Sequence, residues 1–236
     1  MEIVFLEKGS LGNDLDLSYF SELGHVTFYE LTKPEEVPER IRDADVIIVN
    51  KIPMNEATLS GASHLKLVAL TATGMNNIDF DYTNSHGIQV KNVAGYSTNA
   101  VAQHTFALLF YVLHRLAYYD NYVKSGAYCT NPGFSHFDEK FSELDGKTWG
   151  IVGMGAIGQR VASIAEAFGC HVIYYSTSGR NTDQPYERVD FEELLKRSDV
   201  ISLHAPLNPD TEGIMNREAF RKMKKSAFLV NVARGG

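Results

Sequence analysis

Paired cysteines, clusters of basic residues and unbroken apolar runs are what this sequence lacks. Its two cysteines, Cys129 and Cys170, sit in unrelated contexts. Two isolated thiols build neither a disulfide framework nor a cysteine metal site, so buried free thiols in a reducing compartment are expected. No run of Lys or Arg is dense enough to neutralise a string of phosphates, and the formal charge is −7. Nucleic acid is therefore disfavoured as a partner. The longest apolar stretch, residues 100–119, is interrupted by Gln103, His104, His114 and Arg115. It reads as a buried helix, with His104 and His114 as hydrogen-bonded packing residues, and not as a membrane span. The opening MEIVFLEKGS has none of the basic and long apolar regions of a signal peptide. The cytoplasm is the expected location. No internal repeat or low-complexity segment stands out.

What is present is ordinary globular composition, 44% hydrophobic and 22% charged over 236 residues. That is enough chain for one large domain or two modest ones, each with its own core. The first hundred residues alternate between strands (3–6, 25–29, 46–49, 67–70 and a short one at Val90) and helices (15–23, 34–43). Such alternation predicts a parallel, doubly wound sheet. A long helical pattern over 99–122 follows, then an irregular stretch over 123–142 rich in Gly, Pro, Asn and aromatics. Long irregular stretches of this kind are usually functional or form interface arms. A second alternating series has strands at 148–152, 171–175, 200–204 and 227–232, and helices at 156–168, 191–196 and 217–223. The expectation is an α/β chain of two doubly wound parallel-sheet domains, 1–98 and 99–236.

Gly153, Gly155 and Gly158 have GxGxxG spacing. Alone, the triplet is a weak signal. Here it follows a strand, opens an amphipathic helix and is followed by another strand, which is the context of a dinucleotide fingerprint. Gly153 makes the tight turn, Gly155 lets a pyrophosphate approach the backbone, and Gly158 lets helix and strand pack closely. The helix start at Ala156 and Ile157 offers free N–H groups and the positive dipole end to the phosphates. NAD or NADP is the implied cofactor, and no metal site is expected.

The end of the second strand of this unit departs from the usual pattern. An NAD site needs an acidic residue there to accept hydrogen bonds from the adenosine ribose. The sequence has Ser176, Thr177, Ser178, Gly179 and Arg180 instead. Hydroxyls and a guanidinium would tolerate a 2′-phosphate that a carboxylate would repel. Two readings stand side by side: NADP or dual use, or NAD with Ser176 bonding the ribose weakly.

Several segments together resemble the D-isomer-specific 2-hydroxyacid dehydrogenases. They are TGMNNID from Thr73, NVAGYST from Asn92, VAQHT from Val101, the fingerprint, SLHAPL from Ser202 with Thr211, and NVARGG from Asn231. They run in the family's order from about residue 46 onward. Within the family, NVAGYSTNAVAQHTFALL and VIYYSTSG look most like the branch acting on glycerate and hydroxypyruvate.

The resemblance implies a flavodoxin-like substrate domain followed by a Rossmann nucleotide domain. It also implies hydride transfer between NAD(P) and a small 2-oxo or 2-hydroxy acid. Arg234 would hold the substrate's carboxylate and carbonyl, which a planar guanidinium does and Lys does not; the plain alternative is an arginine that merely caps a strand. Thr73, Gly74 and Met75 would form the substrate loop, successive N–H groups at Gly74 and Met75 making an anion nest, unless this is only a glycine turn after a buried strand. Thr98 would lie near the nicotinamide end and is also placed to N-cap a helix starting at Asn99. His204, Ala205, Pro206 and Thr211 would border the adenosine side, and Val232, Ala233 and Arg234 would also contact the cofactor. His204 is not the family's proton donor. Tyr96 and Tyr128 are expected as core or interface aromatics.

The family's donor is a histidine held by a glutamate, both downstream of the Arg-Gly-Gly segment where this chain ends. The resemblance therefore implies a C-terminally truncated chain with an incomplete second domain, binding cofactor but turning over very slowly. In this family the helix over 99–122 and the arm over 123–142 build a homodimer interface. Tyr118, Tyr119, Tyr122, Tyr128, Phe134 and Phe137 suit such contacts, or else burial within one chain. A nicotinamide-sensing, corepressor-like binding protein of the same fold is the rival function.

Overall fold

The computed structural model describes residues 1–235; Gly236, the last residue of the Arg-Gly-Gly segment, lies outside them. The chain divides into two compact units, Met1–Tyr96 and Ser97–Gly236.

In the first unit, strands β1 (Glu2–Phe5), β2 (His25–Phe28), β3 (Val46–Val49), β4 (Leu67–Leu70) and β5 (Gln89–Lys91) form one sheet in the order β2-β1-β3-β4-β5. Every pairing is parallel. Short helices α1 (Val37–Arg40), α2 (Glu56–Leu59) and α3 (Phe80–Ser85) lie in the connections. This is the flavodoxin-like order, with its switch point between β1 and β3. Side chains alternate along a strand, so Val4 and Leu6 enter one core with Ile47 and Val49, while Ile3 and Phe5 enter the other with Ile48. Both faces are covered, which is why the strands read as continuous apolar runs.

The second unit begins with α4 (Thr98–Leu113), α5 (Leu116–Lys124) and α6 (Ala127–Thr130). Its sheet contains β6 (Thr148–Val152), β7 (His171–Tyr175), β8 (Glu187–Arg188), β9 (Val200–Leu203) and β10 (Phe228–Asn231) in the order β10-β9-β6-β7-β8. Helices α7 (Ala156–Ala167), α8 (Phe191–Arg197) and α9 (Arg217–Lys222) make the crossovers. All pairings are again parallel. Counted from β6 this is the Rossmann order 3-2-1-4-5, and the crevice opens where β6 meets β9. Trp149, fully buried, anchors one face with Ile151 and Tyr174, and its indole N–H donates to the Ser202 hydroxyl at 2.9 Å. Burying a side chain of that size contributes about 4–6 kcal/mol of transfer free energy.

The structure reveals a repeat that the sequence does not advertise. Asp45, before β3, accepts the Glu2 amide at 2.9 Å and the Lys66 ammonium at 2.9 Å. Asp199, before β9, accepts the Thr148 amide at 3.0 Å and the Lys224 ammonium at 2.9 Å. Beyond each of these strands a threonine hydroxyl closes the loop onto a proline carbonyl, Thr58 on Pro53 at 2.9 Å and Thr211 on Pro206 at 2.6 Å. Each unit thus staples its strand starts with one carboxylate and its strand-end loop with one hydroxyl.

Several expectations are corrected. The helix over 99–122 is two helices, because Arg115 adopts φ 53° between α4 and α5. An arginine in the left-handed region leaves no sequence signal, and the helical period runs on through it. The turn sets α5 against the arm: His136 stacks on Tyr122 at 3.8 Å and shares a 2.7 Å hydrogen bond with the Tyr118 hydroxyl. Tyr118, Tyr119 and Tyr122 are half-buried in this clasp, while Tyr128, Phe134 and Phe137 are exposed. His104 is exposed and not a packing residue, since its face of α4 points away from the core. Tyr96 is exposed, so neither it nor Tyr128 is a core residue. Cys129 is exposed and only Cys170 is a buried thiol, pushed up to about 11 by burial. The helices over 15–23 and 34–43 shrink to a 3-10 turn, Ser18–Glu22, and to Pro34–Glu36 running into α1.

Candidate functional site

The fingerprint glycines stand at the switch point, and each is required for a different reason. Gly153 follows β6 with φ 94°, and its amide donates to the Tyr175 carbonyl at 2.9 Å. A Cβ there would lie 2.7 Å from the Ala205 amide nitrogen, because β9 ends alongside. Gly158, one turn into α7, would place a Cβ 2.2 Å from the Gly153 carbonyl oxygen. Gly155 is the N-cap of α7 at φ −80°, and a Cβ there would meet nothing within 4 Å. The space beside Gly155 is open, and the first-turn amides of Ala156 and Ile157 have no helical acceptor. An anionic group approaching Gly155 therefore meets unpaired donors and the positive end of a helix of 12 residues. The residues present fit a dinucleotide pyrophosphate.

Beside this turn, at the carboxyl ends of β6, β9 and β10, is a pocket of about 60 Å³ bordered by Val152, Ala205, Pro206, Thr211, Ala233 and Arg234, among others. Thr211 is buried; its hydroxyl donates to Pro206 and accepts the Asn208 amide at 2.9 Å, so it shapes the wall. Val232 is half-buried against the core rather than in the pocket. Arg234 is exposed, with Nη1 donating to the Ala233 carbonyl at 3.0 Å. Among the described residues it pairs with no carboxylate, so its charge is available to a ligand. Asn231 sets the turn that presents it: its side chain accepts the Ala233 amide at 3.0 Å and donates to the Arg234 carbonyl at 2.9 Å. Sequence reasoning missed Asn231; an Asn ending a strand before a sharp turn was the available signal.

Two candidates sit differently from expectation. Thr98 is already helical, and Ser97 is the N-cap, without a side-chain capping bond. Thr98 is therefore not the cap. His204 lies between Leu203 and Ala205, both of which border the pocket, but is not itself among the bordering residues. Both ring nitrogens are shielded and unpaired, and burial lowers its pKa to about 4. The ring stays neutral when folded but takes up a proton below about 6.5 when unfolded. Stability is then complete above pH 6.5, falls as pH drops toward 4 and levels off below, by about 3 kcal/mol in all. In His204→Leu this part of the acid slope is expected to vanish, as read by urea unfolding at pH 7, 6, 5 and 4. Parallel slopes in both proteins would refute the assignment.

At the end of β7, Ser176 is buried and its hydroxyl donates to the Arg180 carbonyl at 2.5 Å. Thr177 is half-buried, and Ser178 and Arg180 are exposed. In the first unit, the loop after β4 is tied down on both sides. The Thr73 hydroxyl donates to the Val93 carbonyl at 3.0 Å, Asn92 donates to the Thr73 carbonyl at 2.7 Å, and Asn77 donates to the Ile52 carbonyl at 2.8 Å. Between these anchors the amides of Gly74 and Met75 have no acceptor among the described residues. They form a candidate anion nest.

Comparison with known proteins decides the family. The NAD binding domain of the D-isomer specific 2-hydroxyacid dehydrogenases matches residues 106–236. The chain belongs to this family. It is 37% identical over 236 residues to the glycerate dehydrogenase of Methylorubrum extorquens, covering all of this chain and 73% of that one. The hydroxypyruvate reductase of Blautia hydrogenotrophica is 38% identical, over all of this chain and 75% of its own length. Among solved structures, D-lactate dehydrogenase from Aquifex aeolicus, complexed with NAD and lactic acid, superimposes with a TM-score of 0.84 at 31% identity, covering 99% of this chain and 69% of that one. This 2-hydroxyacid dehydrogenase is thus an NAD(P)-dependent oxidoreductase whose second unit carries the NAD-binding domain. Among the described residues no helix is long and apolar enough to cross a membrane.

Proposed function

We propose that this family member interconverts a small 2-oxo acid and its D-2-hydroxy acid, with hydroxypyruvate or glyoxylate as the favoured oxidised substrate. The observation that carries the reading is Arg234, an unpaired guanidinium beside the pocket at the end of β10. The names of the relatives, glycerate dehydrogenase and hydroxypyruvate reductase, support the choice of acid.

The bound cofactor supplies or accepts the hydride. The chain's own groups do the rest. Gly153, Gly155, Ala156, Ile157 and Gly158 receive the pyrophosphate. His204, Ala205, Pro206 and Thr211 belong to the strand-end loop that shapes the adenosine side, with His204 acting through packing. Thr98 borders the nicotinamide end, and Ala233 lines the pocket beside it. Arg234 binds the substrate's carboxylate and carbonyl, and drawing electron density toward the carbonyl oxygen makes its carbon a better hydride acceptor. The Thr73 hydroxyl fixes its own loop, leaving the Gly74 and Met75 amides to bind a carboxylate. The first unit is accordingly assigned to substrate and the second to nucleotide. A cytoplasmic homodimer joined through the exposed apolar side chains Tyr111, Val112, Leu116, Val123, Phe134 and Phe137 completes the proposal.

The test is oxidation of NADH and NADPH with hydroxypyruvate and glyoxylate by the purified protein. Turnover of either acid is expected. Tight dinucleotide binding with no turnover of either acid would overturn the proposal in favour of a nicotinamide-sensing binding protein.

A further inference from the structure

The turn after β3 holds an anion of the chain's own. β1 and β3 are neighbours at the switch point of the first unit, where an open parallel sheet ordinarily offers its crevice to a ligand. The amides of Asn50, Lys51 and Ile52 converge there as a nest. All three donate to a single oxygen, Oε2 of Glu7, at 2.8, 2.8 and 3.2 Å. Glu7 stands two residues beyond β1, is half-buried, and takes part in no ion pair among the described residues. In the second unit the space beside Gly155 is open to a ligand; in the first, a carboxylate of the chain fills the nest.

The nest is the first link in a run of bonds that ends at the loop after β4. Ile52 is buried, with its amide on Glu7 and its carbonyl accepting Nδ2 of Asn77 at 2.8 Å. Two residues on, the Met54 amide donates to the Asn77 carbonyl at 2.7 Å, and the Asp79 amide donates to the Met54 carbonyl at 2.9 Å. These bonds make a parallel bridge between Met54 and Ile78, over a Met54 side chain that is fully buried. The Ile78 amide then returns to the Met75 carbonyl at 3.1 Å. Gly74 and Met75, whose amides have no acceptor among the described residues, are therefore held from two sides. Thr73 and Asn92 fix one side, and the run that starts at Glu7 fixes the other. The amides of residues 50–52 have no other acceptor among the described residues, so the turn depends on that one carboxylate.

Resting on the substrate reading above, we propose that Glu7 is a positioning residue for the acid. By anchoring residues 50–52, its carboxylate fixes the Gly74 and Met75 amides that bind the substrate's carboxylate. Glu7 itself touches neither substrate nor cofactor. Loss of its charge loosens the loop without removing a substrate contact, so the weakening falls on acid binding and not on the nucleotide held by the second unit.

The deciding experiment compares Glu7→Gln and Glu7→Asp with the natural protein by steady-state kinetics and by hydrogen exchange. Glu7→Gln keeps the side chain's length but offers the nest a neutral oxygen. KM for the 2-oxo acid is expected to rise by about 10-fold, with kcat within about twofold and KM for NADH and NADPH unchanged. Glu7→Asp retains the charge, falls short by one methylene, and is expected to recover part of the loss. Amide exchange in residues 50–54 and 73–79 should quicken together in Glu7→Gln, by about 10-fold or more. Ile47→Val, a buried change on β3 that lowers stability without touching these bonds, is the control and should leave KM for the acid unaltered. Unchanged KM for the acid in Glu7→Gln, or faster exchange confined to residues 50–54, would overturn the positioning role and leave the substrate reading standing. No turnover of either acid by the natural protein would overturn the substrate reading and the positioning role together.

Discussion

Gly155→Ala should fold as well as the natural sequence and bind cofactor poorly, whereas Gly158→Ala should lose the fold first. The two glycines lie three residues apart in one motif, yet their surroundings are opposite. At position 155 the added methyl meets nothing within 4 Å, and φ −80° suits alanine. Its stability cost is that of a weaker N-cap, about 1 kcal/mol or less. The methyl occupies the space through which a pyrophosphate reaches the Ala156 and Ile157 amides, so cofactor affinity should fall about 10- to 100-fold. At position 158 the methyl would sit 2.2 Å from the Gly153 carbonyl oxygen and 3.2 Å from Ile151. Backbone cannot yield as a flexible side-chain tip can, so α7 must lift from β6. A cost of about 3 kcal/mol or more is expected, lowering the midpoint by roughly 6–12 °C in a unit of this size. Scanning fluorimetry with and without NADPH separates the two cases. Unimpaired cofactor binding by Gly155→Ala would remove the case for pyrophosphate approach at that glycine.

The contrast also shows what could be read from residues alone. Alternating apolar segments dictated two parallel sheets, because strands buried on both faces leave continuous runs such as Val46–Val49 and little else produces them. The glycine spacing located the phosphate turn, since Gly153 and Gly158 each sit against backbone that leaves no room for a Cβ. Features that depend on partners distant in sequence were not legible. Gly150 carries no motif, yet a Cβ there would lie 2.1 Å from the Ser198 hydroxyl. The paired stapling by Asp45 and Asp199 joins strand starts 43 and 51 residues apart, and neither aspartate differs in sequence from an ordinary surface acid. The break at Arg115 was equally silent, because an arginine carries no local preference for the left-handed turn it adopts there. At the candidate site, the sequence named Arg234 and the strand-end loop. It could not say that Thr211 spends its hydroxyl on Pro206, that the His204 ring nitrogens are shielded without a partner, or that Asn231 shapes the turn.

Arg234→Lys is expected to lower kcat/KM for a 2-oxo acid about 10²–10³-fold while leaving cofactor affinity unchanged. Lysine preserves the charge but not the fork, and the fork is what holds a carboxylate oxygen and an adjacent carbonyl oxygen at once. If charge alone mattered, the ammonium would serve nearly as well. The loss should fall on both constants, because the carboxylate contact exists in the ground state, whereas the bond to the carbonyl oxygen strengthens as negative charge develops there. Truncation in Arg234→Ala should cost about 10-fold more than Lys, and added guanidinium should restore part of it, an effect a purely structural arginine would not show. The exposed position makes misfolding a weak explanation for any loss, since the Arg234 side chain bonds only its neighbour's carbonyl. Asn231→Ala supplies the companion measurement. It keeps the guanidinium but releases the turn that aims it, and a smaller drop of about 10-fold is expected, again without change in NADPH affinity. Activity of Arg234→Lys within about threefold of the natural protein would show that the substrate is held elsewhere, because a fork exchanged for a point charge cannot keep two oxygens in register.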